Sequence, residues 1–197
     1  MDSVRYYVAL ILLVTLPPLL MFWLLIHPFI RFWRKVGPGW TYGIVGGLIA
    51  SGMAGVFLVR KPLLATEVGT CSPLVIVGIL CLAAAVSMGW WLLRHVTIKV
   101  LIGLPELAPE RHPGRLVTGG LYARIRHPRY VQFLLGLLGY ALFADYLAAY
   151  IVVALWIPGI WAIAVLEERE LRDRFGEQYE EYCRRVRRFV PRFGCGD

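Results

Sequence analysis

The sequence predicts an all-α integral membrane protein of about five transmembrane helices in a single domain, and three observations lead there. Hydrophobic residues make up 58% of the 197 residues and charged ones only 17%, with a mean hydropathy of +0.63. A soluble domain of this size cannot enclose that much apolar surface. The apolar residues also fall into runs close to the roughly 20 needed to cross about 30 Å of hydrocarbon as a helix, and Lys and Arg gather between those runs.

The first run, Tyr6–Ile30, is too long for a signal peptide and has no small-residue cleavage site, so it reads as a retained helix. Pro17-Pro18 in its middle removes backbone donors, which predicts a kink covered by neighbouring helices. Trp40–Val59 and Pro73–Leu93 are the second and third runs, completing an N-terminal part over residues 1–95. Residues 96–197 then hold a connection, a hairpin of Tyr130–Ala144 and Leu147–Leu166 broken at Asp145, and a C-terminal helix. The connection from Arg94 to Arg129 carries Gly103, Pro105, Pro109, Pro113, Gly114, Gly119 and Gly120, which read as successive turns of a functional loop.

Arg31, Arg34 and Lys35, the arginines of the long connection, and the basic tail from Arg169 to Arg192 share one side if five helices alternate. The positive-inside rule then puts the N-terminus outside and the C-terminus in the cytoplasm, with Arg60 and Lys61 against the trend. A net charge of +8 clustered beside apolar runs fits anionic membrane lipids rather than nucleic acid, for which no motif is present. Cys71, Cys81, Cys183 and Cys195 have neither metal-ligand nor disulfide spacing, and Cys195 stands too near the end for prenylation. No metal site is expected.

Two polar clusters sit where apolar runs end. In Arg126-His127-Pro128, proline suits the first turn of a helix, placing His127 at its N-cap. Such an end presents free N–H groups and partial positive charge, which favour an anionic ligand group, and Arg124, Arg126 and Arg129 strengthen the field. The plainer reading is that the arginines anchor the helix to headgroups. Glu167-Glu168 closes the last apolar run, where the helix dipole opposes acids, so something positive should lie nearby. Arg172 and Arg174 stand four residues beyond Glu168 and Glu170 and could pair with them, whereas Glu167 faces Leu171 at that spacing and could turn inward. Leu171, Phe175, Tyr179 and Tyr182 make one apolar stripe that Gly176 could divide into two helices.

The motifs Gly120-Leu-Tyr122, Arg126-His127-Pro128-Arg-Tyr130, Glu167-Glu168-Arg-Glu-Leu171 and Phe175-Gly176-Glu-Gln-Tyr179, ending in Arg188-Phe-Val-Pro191, resemble the isoprenylcysteine carboxyl methyltransferase and phospholipid methyltransferase superfamily of integral membrane enzymes. The resemblance covers about 75 residues, from Leu116 to Pro191. It implies an S-adenosylmethionine-dependent methyltransferase with a C-terminal cytosolic cofactor pocket and a lipophilic or lipid-modified acceptor coming from the bilayer. Carried over by position, Gly120, Tyr122, Arg126, His127, Pro128 and Tyr130 would hold the cofactor, Glu167 and Glu168 would close the pocket and serve catalysis, and Arg188 would face the transferring group or the substrate. Residues 95–107 lack the Trp-containing stretch of the eukaryotic-type carboxyl methyltransferases, which leaves the acceptor open among carboxylate, amine and thiol. A sterol-reductase-like enzyme using a nicotinamide, or a membrane scaffold without activity, are the rival readings.

Overall fold

The structure, a computed structural model, describes residues 2–69, 72–95 and 115–191. The expectations placed on Cys71, on Cys195 and on the turns between residues 96 and 114 fall outside the described residues. The described chain is helical throughout: α1 (Asp2–Ile26), α2 (Ile30–Val36), α3 (Pro38–Leu58), α4 (Arg60–Leu63), α5 (Ser72–His95), a 3-10 turn (Gly120–Ala123), α6 (Pro128–Ala144), α7 (Leu147–Phe175) and α8 (Glu177–Arg185). Among the described residues, four helices are long and apolar enough to cross a membrane: α1, α3, α5 and α7. The anticipated fifth, α6, is 17 residues long, about 25 Å at 1.5 Å per residue and so near the lower limit for a span.

The core lies where α1, α6 and α7 meet, with Leu12, Leu16, Ala141, Ala149, Val152 and Ile160 all buried. The α1 helix continues through Pro17 and Pro18 as one helix from Asp2 to Ile26. A side chain at Gly52 of α3 would lie 3.5 Å from Pro18, so α3 packs beside the prolines. Gly139 sets the spacing of α5 and α6: a Cβ there would come within 2.7 Å of Leu82 Cγ and 2.8 Å of the Gly78 carbonyl oxygen. Small residues allow this close approach, which compensates for the absence of a hydrophobic drive between helices in lipid.

The α6–α7 turn is fastened at one end of the bundle. Asp145 takes a left-handed conformation, φ 61°, which a short polar side chain tolerates. Its carboxylate accepts from Arg5 Nη2 of α1 at 3.1 Å and from the Tyr150 hydroxyl at 2.9 Å, while its carbonyl accepts from the Val68 amide at 3.0 Å. The turn therefore carries a paired buried charge that joins α1, α6 and α7. At the opposite end, Gly176 with φ 51° ends α7 and starts α8, as the interrupted stripe suggested.

Candidate functional site

Glu168 organises the end of the bundle where α6 begins. Its side chain is 0% exposed, and a charge in such a place needs partners. Arg126 donates to Oε1 from Nε at 3.1 Å and Nη2 at 3.0 Å, His127 Nε2 lies 3.0 Å from the same oxygen, and Arg188 reaches both oxygens at 2.9 and 2.8 Å. Arg172, four residues on, is 3.8 Å away. The positive partners that Glu168 required are thus Arg126 and Arg188, from distant parts of the chain, with the helical neighbour only at the margin.

The tail is sewn to the start of α6 through its backbone as well. Ile125 pairs with Arg187 as an isolated parallel bridge, the Arg126 amide donates to the Arg187 carbonyl at 2.8 Å, and the His127 amide donates to Arg188 at 3.0 Å. The amides of Arg126, before the helix, and of His127, its N-cap, are thus spent on the tail, and Pro128 at the first helical position has no donor. His127 is the N-cap residue, but its side chain makes no capping bond; the ring is used on Glu168.

Glu167 faces elsewhere. Tyr130 donates its hydroxyl to Oε2 at 2.7 Å, and His127 Nδ1 lies 3.6 Å from that oxygen. His127 therefore stands between the two carboxylates, with its ring stacked on Tyr130 at 5.3 Å between centroids. Glu167, Tyr122, Arg126, His127, Arg129 and Tyr130 line a common cleft, with Tyr179 and Tyr182 of α8 on its other side. Glu168 and Arg188 are absent from that lining and act behind it. Each nitrogen of the Arg126 guanidinium already donates, Nη1 to the carbonyls of Cys183 and Val186, so this arginine braces the wall.

Tyr182 fixes α8 against the 3-10 turn by donating to the Tyr122 carbonyl at 2.6 Å. Burial holds the Tyr182 phenol well above its ordinary range, and the Tyr122 and Tyr179 phenols are likewise raised chiefly by burial. The Arg188 guanidinium is held above its usual value by its hydrogen bonds to Glu168. Gly120 has φ 63°, and a Cβ there would collide with the Trp91 ring of α5. Its role is to let Trp91 close over the turn.

Arg126, His127, Tyr130 and Glu167 thus line one cleft, and Arg129, expected only to strengthen the field at the helix start, lines it too. Tyr179 and Tyr182, which the sequence showed only as members of an apolar stripe, also line it. Glu170 does not pair with Arg174; it is 8% exposed and lies 3.0 Å from Nδ1 of the equally buried His27. His27, the polar residue following α1, was the available clue.

The cleft's chemistry suits S-adenosylmethionine: a carboxylate in Glu167, a cation in Arg129 and phenol faces complement its ammonium, carboxylate and sulfonium. Residues 73–178, more than half of the chain, match the phospholipid methyltransferase family. The chain is 35% identical to methanethiol S-methyltransferase 1 of Bradyrhizobium diazoefficiens over 52% of this chain and 39% of that protein. It is 41% identical to the cobalt-zinc-cadmium resistance protein CzcN of Cupriavidus metallidurans over 42% and 38%, and 28% identical to methanethiol S-methyltransferase of Pseudomonas deceptionensis over 53% and 42%. The matches thus span about two fifths of the length of these curated relatives. No solved structure matches. With the matched region running from α5 into α8 and including both carboxylates, the chain belongs to the phospholipid methyltransferase family of S-adenosylmethionine-dependent membrane enzymes.

Proposed function

We propose that the protein transfers the methyl group of S-adenosylmethionine to a lipophilic acceptor at the cytosolic face of a membrane. The observation that carries this reading is the division of the acidic pair, with Glu168 consumed by Arg126, His127 and Arg188 and Glu167 left on the cleft. In this reading five helices span the bilayer, α6 included, with the N-terminus outside and the cleft and C-terminus in the cytoplasm. The basic residues flanking the cleft agree with that orientation.

Glu167 binds the cofactor's ammonium and Arg129 its carboxylate, while Tyr122 and Tyr130 offer aromatic faces to the sulfonium. Arg126, His127 and Pro128 form the wall that presents these groups. Gly120, Glu168 and Arg188 are positioning residues, since the first admits Trp91 and the other two hold the wall from behind. The bound cofactor supplies an already activated methyl group, so the protein's work is alignment and exclusion of water. In this reading the packing of α8 against α7 and Leu116, and the pairing of the tail with the start of α6, serve both.

A thiol acceptor is a second reading, favoured by the two relatives named for methanethiol. The first experiment is calorimetric titration of the detergent-purified chain with S-adenosylhomocysteine and, in parallel, NADPH. Saturable binding of the first alone is the expected result; binding of NADPH alone would replace the reading with a reductase.

A further inference from the structure

We infer that α2 lies in the plane of the membrane surface and is a docking surface for anionic phospholipid, with Phe29 and Phe32 entering the bilayer and Arg31 and Lys35 meeting headgroup phosphates. The inference does not depend on the chemistry of the cleft. It concerns the end of the bundle at which the cleft opens.

The place of α2 is set by its neighbours. It joins α1, which ends at Ile26, to α3, which begins at Pro38, and both of those helices are long and apolar enough to span. With 7 residues, about 10 Å of helix, α2 turns at one membrane face and does not cross. That face is the cleft's, because His27, directly after α1, meets Glu170 of α7 at 3.0 Å. Glu170 stands three residues beyond Glu167, on the same side of that helix. The elbow is also fastened to α1 itself: Trp33 donates its indole N–H to the Leu25 carbonyl at 2.9 Å, one of the acceptors that a helix end leaves open. Ile30 and Trp33 are buried together with Ile26 and Val45.

At about 100° per residue the helix divides into three sides. Ile30 and Trp33 face the protein. Phe29 and Phe32 share a second side, and each is 57% exposed. Arg31 and Lys35, four residues apart, share the third and are exposed. Neither of these cations makes an ion pair among the described residues, and residues 27–42 contain no Asp or Glu. Aromatic rings on one side and cations on another suit a helix lying in the interface, with the rings at the acyl boundary and the charges among anionic headgroups. Trp40, 74% exposed in the first turn of α3, adds a ring at the level where tryptophan anchors spans. Because a span tethers each end of α2, the surface within its reach is that of its own bilayer, which favours lipid over a soluble acidic protein. Each cation near an anionic leaflet contributes a preference of about fivefold.

The test uses the full chain in phosphatidylcholine nanodiscs holding a trace of either phosphatidylglycerol or phosphatidylcholine with a diazirine near the top of one acyl chain. After photolysis, label on residues 29–40 is read by peptide mass spectrometry. The phosphatidylglycerol probe is expected to exceed the phosphatidylcholine probe by roughly 25-fold, two cations at about fivefold each, and the excess should shrink as added salt screens the charges. Arg31→Gln combined with Lys35→Gln should bring the two probes to equal label, whereas Arg31→Lys combined with Lys35→Arg should keep the excess. Phe29→Ser combined with Phe32→Ser should lower label from both probes several-fold and leave their ratio unchanged. Unfolding midpoints report that each variant is folded, and the salt titration of the wild type reads the charge dependence without any substitution. Equal labelling of the wild type by the two probes would overturn the proposal and leave the cations to a soluble acidic partner. An excess that survives both salt and the loss of both cations, or label indifferent to the loss of both rings, would overturn it as well.

Discussion

Arg188 grips Glu168 twice, from Nε to Oε1 at 2.9 Å and from Nη2 to Oε2 at 2.8 Å, and so ties the tail to α7. The planar fork of arginine is what permits both bonds at once. Arg188→Ala should lower stability by about 3 kcal/mol, because a fully buried carboxylate loses one of its cations. Arg188→Lys should recover only part of the loss. Thermal unfolding in detergent checks both; equal stability of wild type and Arg188→Ala would remove Arg188 from the brace.

Tyr182→Phe removes the hydroxyl that donates to the Tyr122 carbonyl at 2.6 Å and should cost about 1–2 kcal/mol. The phenol's value is raised in the folded protein above its ordinary 10.0. Its contribution is therefore fully present at lower pH and lost as pH rises past about 10, where the unfolded chain ionises first. The gap between wild type and Tyr182→Phe, followed by unfolding midpoints from pH 7 to 11, should narrow at the alkaline end. A gap that widens there would contradict this assignment.

The α7–α8 junction offers a backbone test. Gly176 has φ 51° and ψ −127° with open space where a Cβ would stand, so Gly176→Ala strains the chain without a clash. A cost of about 1–3 kcal/mol follows from that conformation. Because α8 carries Tyr179 and Tyr182 of the cleft, S-adenosylhomocysteine affinity should fall alongside the unfolding midpoint. A neutral substitution would show that the junction adopts another conformation in solution.

Gly120→Ala differs, since its Cβ meets the Trp91 ring. Trp91→Ala should remove the steric part of the Gly120→Ala penalty, leaving the part due to φ 63°. A double-mutant cycle on unfolding midpoints measures that coupling, and strict additivity would mean that the two residues do not touch.

Much of the fold was legible because periodicity and length suffice for long apolar helices: α3, α5 and α6 fall within a few residues of their expected places, whereas α7 starts as expected at Leu147 but continues past Leu166 to Phe175. The division at Gly176 was legible for the same reason, as a stripe with a glycine in it. The parts that were not legible depend on contacts distant in sequence. Nothing local shows that His27 meets Glu170, 143 residues away, or that Arg5 meets Asp145, 140 residues away. The adjacent carboxylates were visible as a pair, but their separate duties were not. Successive residues on a helix point about 100° apart, so one is turned to the arginines and the other to the cleft.

That separation is the central claim, and titrating Glu167→Gln and Glu168→Gln with S-adenosylhomocysteine tests it most directly when each unfolding midpoint is recorded alongside. Glu167→Gln should keep the wild-type midpoint and lose at least tenfold in affinity, about 1.4 kcal/mol. Glu168→Gln should lower the midpoint sharply by leaving Arg126, His127 and Arg188 around a neutral amide. Full affinity in Glu167→Gln, or wild-type stability in Glu168→Gln, would contradict the account.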